Sequence, residues 1–166
     1  MKKVVLLLII LVLVFAPILY FLNLIRPISK SDKTETVIIS VNRGDSAAVE
    51  LIDKGFIKSF SAFNILYSLK GNLKIEPGGY YLSKNMSALK IIEELADGPD
   101  LKEVVIVEGL RKEQIGERIG KVLGWSNSEF KQWDNSIENP DYLEGVYFPD
   151  TYLIPVNESP PQVAAR

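Results

Sequence analysis

Val4 to Ile25 is a run of 22 residues without a charge, broken only by Pro17, Tyr20 and Asn23. No other feature constrains this chain as much. As a helix, the run is about 33 Å long, and a bilayer's hydrocarbon core is about 30 Å thick. Met1-Lys2-Lys3 supplies a short basic head before it. The rival reading is a cleaved signal peptide, whose apolar region is usually about 7–15 residues and ends at an A-x-A-like site. This run is longer, Ala16 is followed by Pro17, and no good small-x-small site comes after. It therefore reads as an uncleaved signal anchor. Pro17 is tolerable there, because neighbouring groups in a membrane helix can satisfy the freed carbonyl. Lys2, Lys3 and the amine precede the span, while Arg26, Lys30 and Lys33 follow it. The positive-inside count does not settle orientation.

The other 141 of the 166 residues have room for one ordinary domain or two very small ones. Removing Lys2 and Lys3 from the 19 Lys and Arg leaves 17 against 21 Asp and Glu, a balance of −4. With no basic stripe, that argues against a nucleic-acid partner. The absence of cysteine excludes disulfides, and with no histidine either, a catalytic zinc site is not expected. No metal or cofactor is expected. Acid–base chemistry then falls to carboxylates, or less often to Tyr or Lys.

Residues 1–25 thus form the basic head and the transmembrane anchor, and the polar stretch 26–36 (RPISKSDKTE into Thr36) reads as a linker. Val37–Val41 is β-branched and predicts a strand. Asn42–Asp45 is a turn, with Asp45 or Ser46 able to cap the next helix. In that helix Ala48, Leu51 and Ile52 recur at helical spacing up to Gly55. Ser59 caps a second helix with Phe60, Phe63 and Leu66 inward and Gly71 at its end. Pro77-Gly78-Gly79 reads as a turn into the strand Tyr80–Leu82. Residues 37–82 are therefore strand–helix–helix–strand, and 37–98 make one subdomain with a helix capped by Ser87. That helix carries Leu89, Ile92 and Leu95 and stops at Gly98-Pro99. A second part, 99–166, opens with a strand over Leu101–Val107, a turn at Glu108-Gly109 and a helix over Glu113–Leu123 with Ile115, Ile119 and Val122 inward. Ser126-x-x-Glu129 is a capping-box pattern for a helix bearing Phe130 and Trp133. The strand–Gly–helix openings at Gly44 and Gly109 fit a weak repeat or two ordinary turns. Asn139-Pro140 starts a loop, and Gln162–Arg166 resembles the start of a helix. The fold class is α+β.

The loop carries LEGVYFPDTY, Leu143 to Tyr152. Glu144 is the first candidate for chemistry. A carboxyl that donates a proton near neutral pH needs burial against apolar groups, and Tyr142, Val146, Tyr147 and Phe148 can supply that surface. Gly145 permits close approach of a substrate. By residue type alone, a solvated loop glutamate beside core aromatics is the weightier reading. Asp150 could pair with Glu144 as a second carboxyl, but Pro-Asp-Thr is first of all a turn whose Asp bonds nearby amides. Glu108 ends a strand, where clefts form, although an exposed turn acid fits as well. Tyr80, Tyr81, Trp125 and Trp133 can stack on sugars, but at these spacings fit core or partly exposed positions better.

The order of these pieces resembles the endolytic murein transglycosylases of the MltG (YceG-like) family. The resemblance is carried by the N-terminal span, GDSAAVELIDKGFI with SFSAF, EPGGYYLSKNMSALKIIEELADG, VVIVEGLRKEQIGERI and LEGVYFPDTYLIP, collinear from about residue 37. It implies a LysM-like βααβ subdomain at 37–82, followed by the first part of a mixed α+β catalytic domain. It implies that Glu144, the Glu of EG-x-x-x-PDTY, is catalytic, with Glu108, Tyr147, Asp150 and Tyr152 as candidates for substrate binding. The implied reaction cleaves the β-1,4 bond between N-acetylmuramic acid and N-acetylglucosamine in nascent peptidoglycan strands and leaves a 1,6-anhydro end. The implied setting is a single-pass protein of the cytoplasmic membrane, N-terminus inside, working near peptidoglycan synthases. Family members continue for well over a hundred residues past PDTY, so 99–166 reads as a truncated catalytic domain. Two other readings remain: a non-catalytic, membrane-tethered glycan-binding or scaffold module (or an inactive fragment), and a hydrolase using Glu144 with Asp150.

Overall fold

The computed structural model describes residues 2–40, 44–136 and 148–166. In order, its elements are α1 (Lys2–Leu24), β1 (Thr34–Ile39), α2 (Gly44–Asp53), α3 (Phe60–Leu69), β2 (Gly78–Ser83), α4 (Ala88–Asp97), β3 (Leu101–Ile106), α5 (Lys112–Leu123), α6 (Asn127–Asn135), β4 (Asp150–Pro155) and α7 (Pro160–Ala164). This is the α+β class that the sequence predicts, with strand order β1-β2-β3-β4. The chain divides into two compact units, Met1–Glu76 with Tyr81–Gly98, and Pro77–Tyr80 with Pro99–Arg166.

In the first unit, α1 is long and apolar enough to cross a membrane and contains Pro17. The strand–helix–helix–strand order is the predicted one, with shifts that have physical causes. β1 starts at Thr34, inside the stretch read as linker. The residues before it are tied down as well: the Ser29 amide donates to the Lys84 carbonyl at 3.0 Å, and the Ser83 hydroxyl donates to the Ser31 carbonyl at 3.0 Å. Serines that looked like spacer residues thus pair with main chain. Residues 41–43, part of the expected strand end and turn, lie outside the described residues. α2 begins at Gly44, so Asp45 and Ser46 lie within the helix and not at the position before it.

The buried stripe of α2 is Ala47, Ala48 and Leu51, while Ile52 faces out. Gly55 ends the helix as predicted. It takes φ +70°, with the Phe56 amide on the Leu51 carbonyl and the Gly55 amide on Ile52, the paired bonds of a Schellman stop. Ser59 caps α3 by accepting the Ala62 amide. Ala62 and Phe63 are buried, but Phe60 is 38% exposed, because a first-turn side chain leans back past the helix end, off the core. Ser87 caps α4 through the Lys90 amide. The buried face of α4 is Ala88, Ile91, Ile92 and Leu95, the i, i+3, i+4, i+7 stripe, and it excludes Leu89.

In the second unit, β3 pairs antiparallel with β4 over Leu101↔Pro155 through Ile106↔Asp150, and Gly79 lies opposite Leu101. The Pro77-Gly78-Gly79 segment is therefore not a turn, since both glycines belong to β2. A Cβ at Gly78 would sit 2.6 Å from the Leu101 carbonyl oxygen and from Pro99 Cβ, so close approach explains the glycine. α5 packs on β3, and α6 packs on α5 and α7, around Val104, Ile106, Ile115, Ile119, Ile154, Val163 and the fully buried Trp133. The capping box of α6 forms as predicted, with the Ser126 amide on Glu129 Oε2 at 2.7 Å and the Glu129 amide on Ser126 Oγ at 3.3 Å.

Candidate active site

The Asp150–Pro155 part of the aromatic motif is positioned by strand pairing rather than by a loop. Thr151, Tyr152, Leu153 and Ile154 are β-formers, and across β3 they meet Val105, Val104, Glu103 and Lys102. Side chains alternate along a strand. Asp150 thus shares a face with Tyr152 and Ile154, the face on which Ile154 is buried against α5 and α7 residues.

At the Asp150 end of this ribbon, Asp150 is exposed, and its Oδ1 accepts the Thr151 amide at 2.7 Å. That is the local bond expected of Pro-Asp-Thr, although the residue opens a strand instead of a free turn. The Tyr152 hydroxyl donates to the Phe148 carbonyl at 3.0 Å and so staples the entry to β4. Phe148 itself is 74% exposed. Glu108 follows the end of β3 by two residues, on the turn where Gly109 takes φ +78° before α5. It is exposed. Because Ile106 pairs with Asp150, Glu108 and Asp150 belong to the same end of the ribbon.

Beside this end lies a cavity of about 330 Å³, lined by Ile106, Ile119, Phe148, Tyr152, Ile154 and residues 163–166. Apolar groups make up little more than half of its wall, and polar groups, the Tyr152 hydroxyl and Arg166 among them, make up the rest. Arg166 Nε is bonded to Glu158 Oε2 at 2.7 Å. An aromatic-rimmed hollow of this kind can take an apolar sugar face, while Glu108 and Asp150 stand at the neighbouring ribbon end and are not among its lining residues. The lining by Ile119 and Val163 was not legible in the sequence. The sequence presents Ile119 only as an inward-facing helix residue and Val163 only as part of a starting helix, and nothing local marks a hollow. The Tyr152–Phe148 staple also had no sequence signal.

Glu144 and Tyr147 lie outside the described residues. Phe148, the first described residue after them, stands at the same ribbon end as Asp150 and Glu108. Tyr80 and Trp133 are fully buried and are core residues, while Tyr81 and Trp125 keep partial exposure.

A crystal structure of a yceG-like protein, lmo1499, from Listeria monocytogenes is 21% identical to this chain. The likeness covers 81% of this chain and 52% of that one, with a TM-score of 0.47, so the chain spans about half that protein's length. No curated protein matches. The model of the YceG-like family matches residues 38–166, which include the whole LEGVYFPDTY motif. The chain belongs to the YceG-like family.

Proposed function

We propose that the protein is a membrane-anchored endolytic transglycosylase that cleaves peptidoglycan glycan strands, with Glu144 as its acid and base. The observation that carries this reading is the family match, whose span, residues 38–166, includes Glu144–Tyr152. A chain without histidine or cysteine also leaves the work to carboxylates.

Protonated Glu144 gives its proton to the glycosidic oxygen between N-acetylmuramic acid and N-acetylglucosamine, and the C1–O bond breaks. The resulting carboxylate takes the proton of the muramic acid's own C6 hydroxyl as O6 bonds to C1. The product is a 1,6-anhydro end, and Glu144 is protonated again. Neither water nor a second nucleophile is consumed, so the solvated position of Asp150 does not count against the reaction. Aromatic surroundings that exclude water favour ring closure over hydrolysis. In this reading the βααβ segment is a LysM-like glycan holder. α1 is a retained anchor with its N-terminus in the cytoplasm, and the partners are nascent strands beside peptidoglycan synthases.

The test incubates uncrosslinked glycan strands with the detergent-solubilised protein and with its Glu144→Gln variant, followed by mass spectrometry. Internal cuts with anhydro ends, lost in the variant, are expected. Reducing ends would point to hydrolysis. Binding without cleavage would make the chain a wall-binding module.

A further inference from the structure

The end of α1 is not a free stalk. Up to Tyr20 the described side chains of the helix are exposed, and then Phe21, Leu24 and Ile25 become half-buried, an i, i+3, i+4 stripe. Lys58 Nζ donates to the Asn23 carbonyl at 3.2 Å, and the Arg26 amide donates to the same oxygen at 3.4 Å. The Ala88 amide, at the start of α4, donates to the Ile25 carbonyl at 3.0 Å. Beyond these, the Ser29–Lys84 and Ser83–Ser31 bonds fasten the following residues to the end of β2. All of these groups lie in the first unit.

The 23 residues of α1 rise about 34 Å, just over the roughly 30 Å of a hydrocarbon core. When α1 spans a bilayer, the Asn23 carbonyl therefore stands where hydrocarbon gives way to headgroups, and Lys58, bonded to it, stands at that level too. The surrounding residues have an interfacial composition. Neither 21–31 nor 55–64 contains an acid, although the chain as a whole is acidic. Arg26 and Lys58 are exposed cations, and Ile28 and Phe60 are exposed apolar side chains beside them. Basic groups with long stems next to aromatic and aliphatic residues suit a phosphate layer over acyl chains.

We propose that this corner of the first unit, Arg26–Ile28 with Lys58–Phe60, is a phospholipid-binding surface seated on the headgroups around the end of the span. Arg26 and Lys58 meet the phosphates, and Ile28 and Phe60 enter the apolar edge. The unit is then held at a fixed height on the bilayer instead of swinging on a tether. The inference rests on α1 being a retained anchor.

The chain has no cysteine, so Phe60→Cys and Ile28→Cys each give one labelling site. Ile28 lies outside every helix and strand and serves as the variant least able to disturb folding. Each variant of the full chain carries an environment-sensitive nitrobenzoxadiazole dye. It is reconstituted in vesicles of phosphatidylethanolamine and phosphatidylglycerol doped with a headgroup nitroxide lipid. A blue-shifted emission, quenched well beyond that of the dye's glutathione conjugate in the same vesicles, is expected at both sites, and Lys58→Glu should weaken it. Protein that stays in the vesicles with intact mass but shows the quenching of the free conjugate overturns the surface and leaves the anchor standing. Protein lacking residues 1–25, or released from the vesicles, overturns the anchor and the surface together.

Discussion

At the scale of single residues, the second unit turns on what fits against Trp133. A Cβ on Gly116 would lie 2.3 Å from Trp133 Cζ3, 2.6 Å from Cε3 and 2.9 Å from Phe130 Cε2. Trp133 is fully buried, so it has nowhere to move. Gly116→Ala therefore sets an overpacking penalty of about 1–3 kcal/mol against a helix-propensity gain of up to about 1 kcal/mol, and the penalty wins. Gly120→Ala is the contrast. Its Cβ meets Trp125 Cε3 at 3.3 Å, a ring that is half-exposed and able to give. Urea unfolding in detergent, followed by the fluorescence of the two tryptophans, should show a lower midpoint for the first variant and little change for the second. Glu129 gives a pH-dependent residue effect. The Ser126 amide, and then the Ser126 hydroxyl, hold its carboxyl below the usual glutamate range. The cap's contribution is thus complete above the unfolded-state pKa and is lost as pH falls through the lower folded value. Carbon-13 titration of the Glu129 carboxyl should show the depressed midpoint, and Ser126→Ala should raise it. A midpoint unaffected by that substitution would remove the Ser126 hydroxyl as a cause and leave the Ser126 amide alone to hold the carboxyl down.

At the scale of elements, what the sequence made legible was local chemistry. Ser59, Ser87 and the Ser126/Glu129 pair act within three residues of themselves, and each caps as its spacing predicts. The βααβ order followed from period and punctuation in the same way. What escaped was anything set by a distant partner. Asp150–Pro155 is a strand only because β3 lies opposite, and its six residues after Pro149 carry no signal strong enough to separate it from a loop. Gly78 looked like turn chemistry, but its reason is the Leu101 carbonyl and Pro99 on the neighbouring chain segment. Of the candidate site, the Asp150–Thr151 bond was readable, the cavity wall at Ile119 and Val163 was not, and Glu144 falls outside the described residues. Gly78→Ala tests the strand account. It combines a φ of +151° with contacts of 2.6 Å, so a loss of at least about 2 kcal/mol is expected. Faster amide exchange at Leu101 and its β3 neighbours should accompany that loss. If the glycine serves a turn alone, exchange in β3 will stay unchanged.

At the scale of the whole molecule, the attachment of the first unit to α1 determines what a membrane anchor contributes. With α1 as the proposed anchor, a flexible tether would let a domain sample a wide shell, whereas a body bonded to α1 through Lys58–Asn23 and Ala88–Ile25 would stay at one height. For a strand lying at the membrane surface, that difference is one of effective concentration rather than of chemistry. Twelve Gly and Ser residues inserted between Ile25 and Arg26 would give the unit a root-mean-square reach of about 20 Å. The insertion would also free it from both bonds, while residues 38–166, the family-matched part, stay unaltered. With the proposed transglycosylase reading, cleavage of lipid-linked glycan strands in proteoliposomes should fall several-fold in the insertion variant. Cleavage of soluble uncrosslinked strands by the same preparation should keep its wild-type rate. An equal loss on both substrates would mean that the insertion damages the fold. An undiminished rate on the lipid-linked strands would mean that height above the bilayer does not govern access to the substrate.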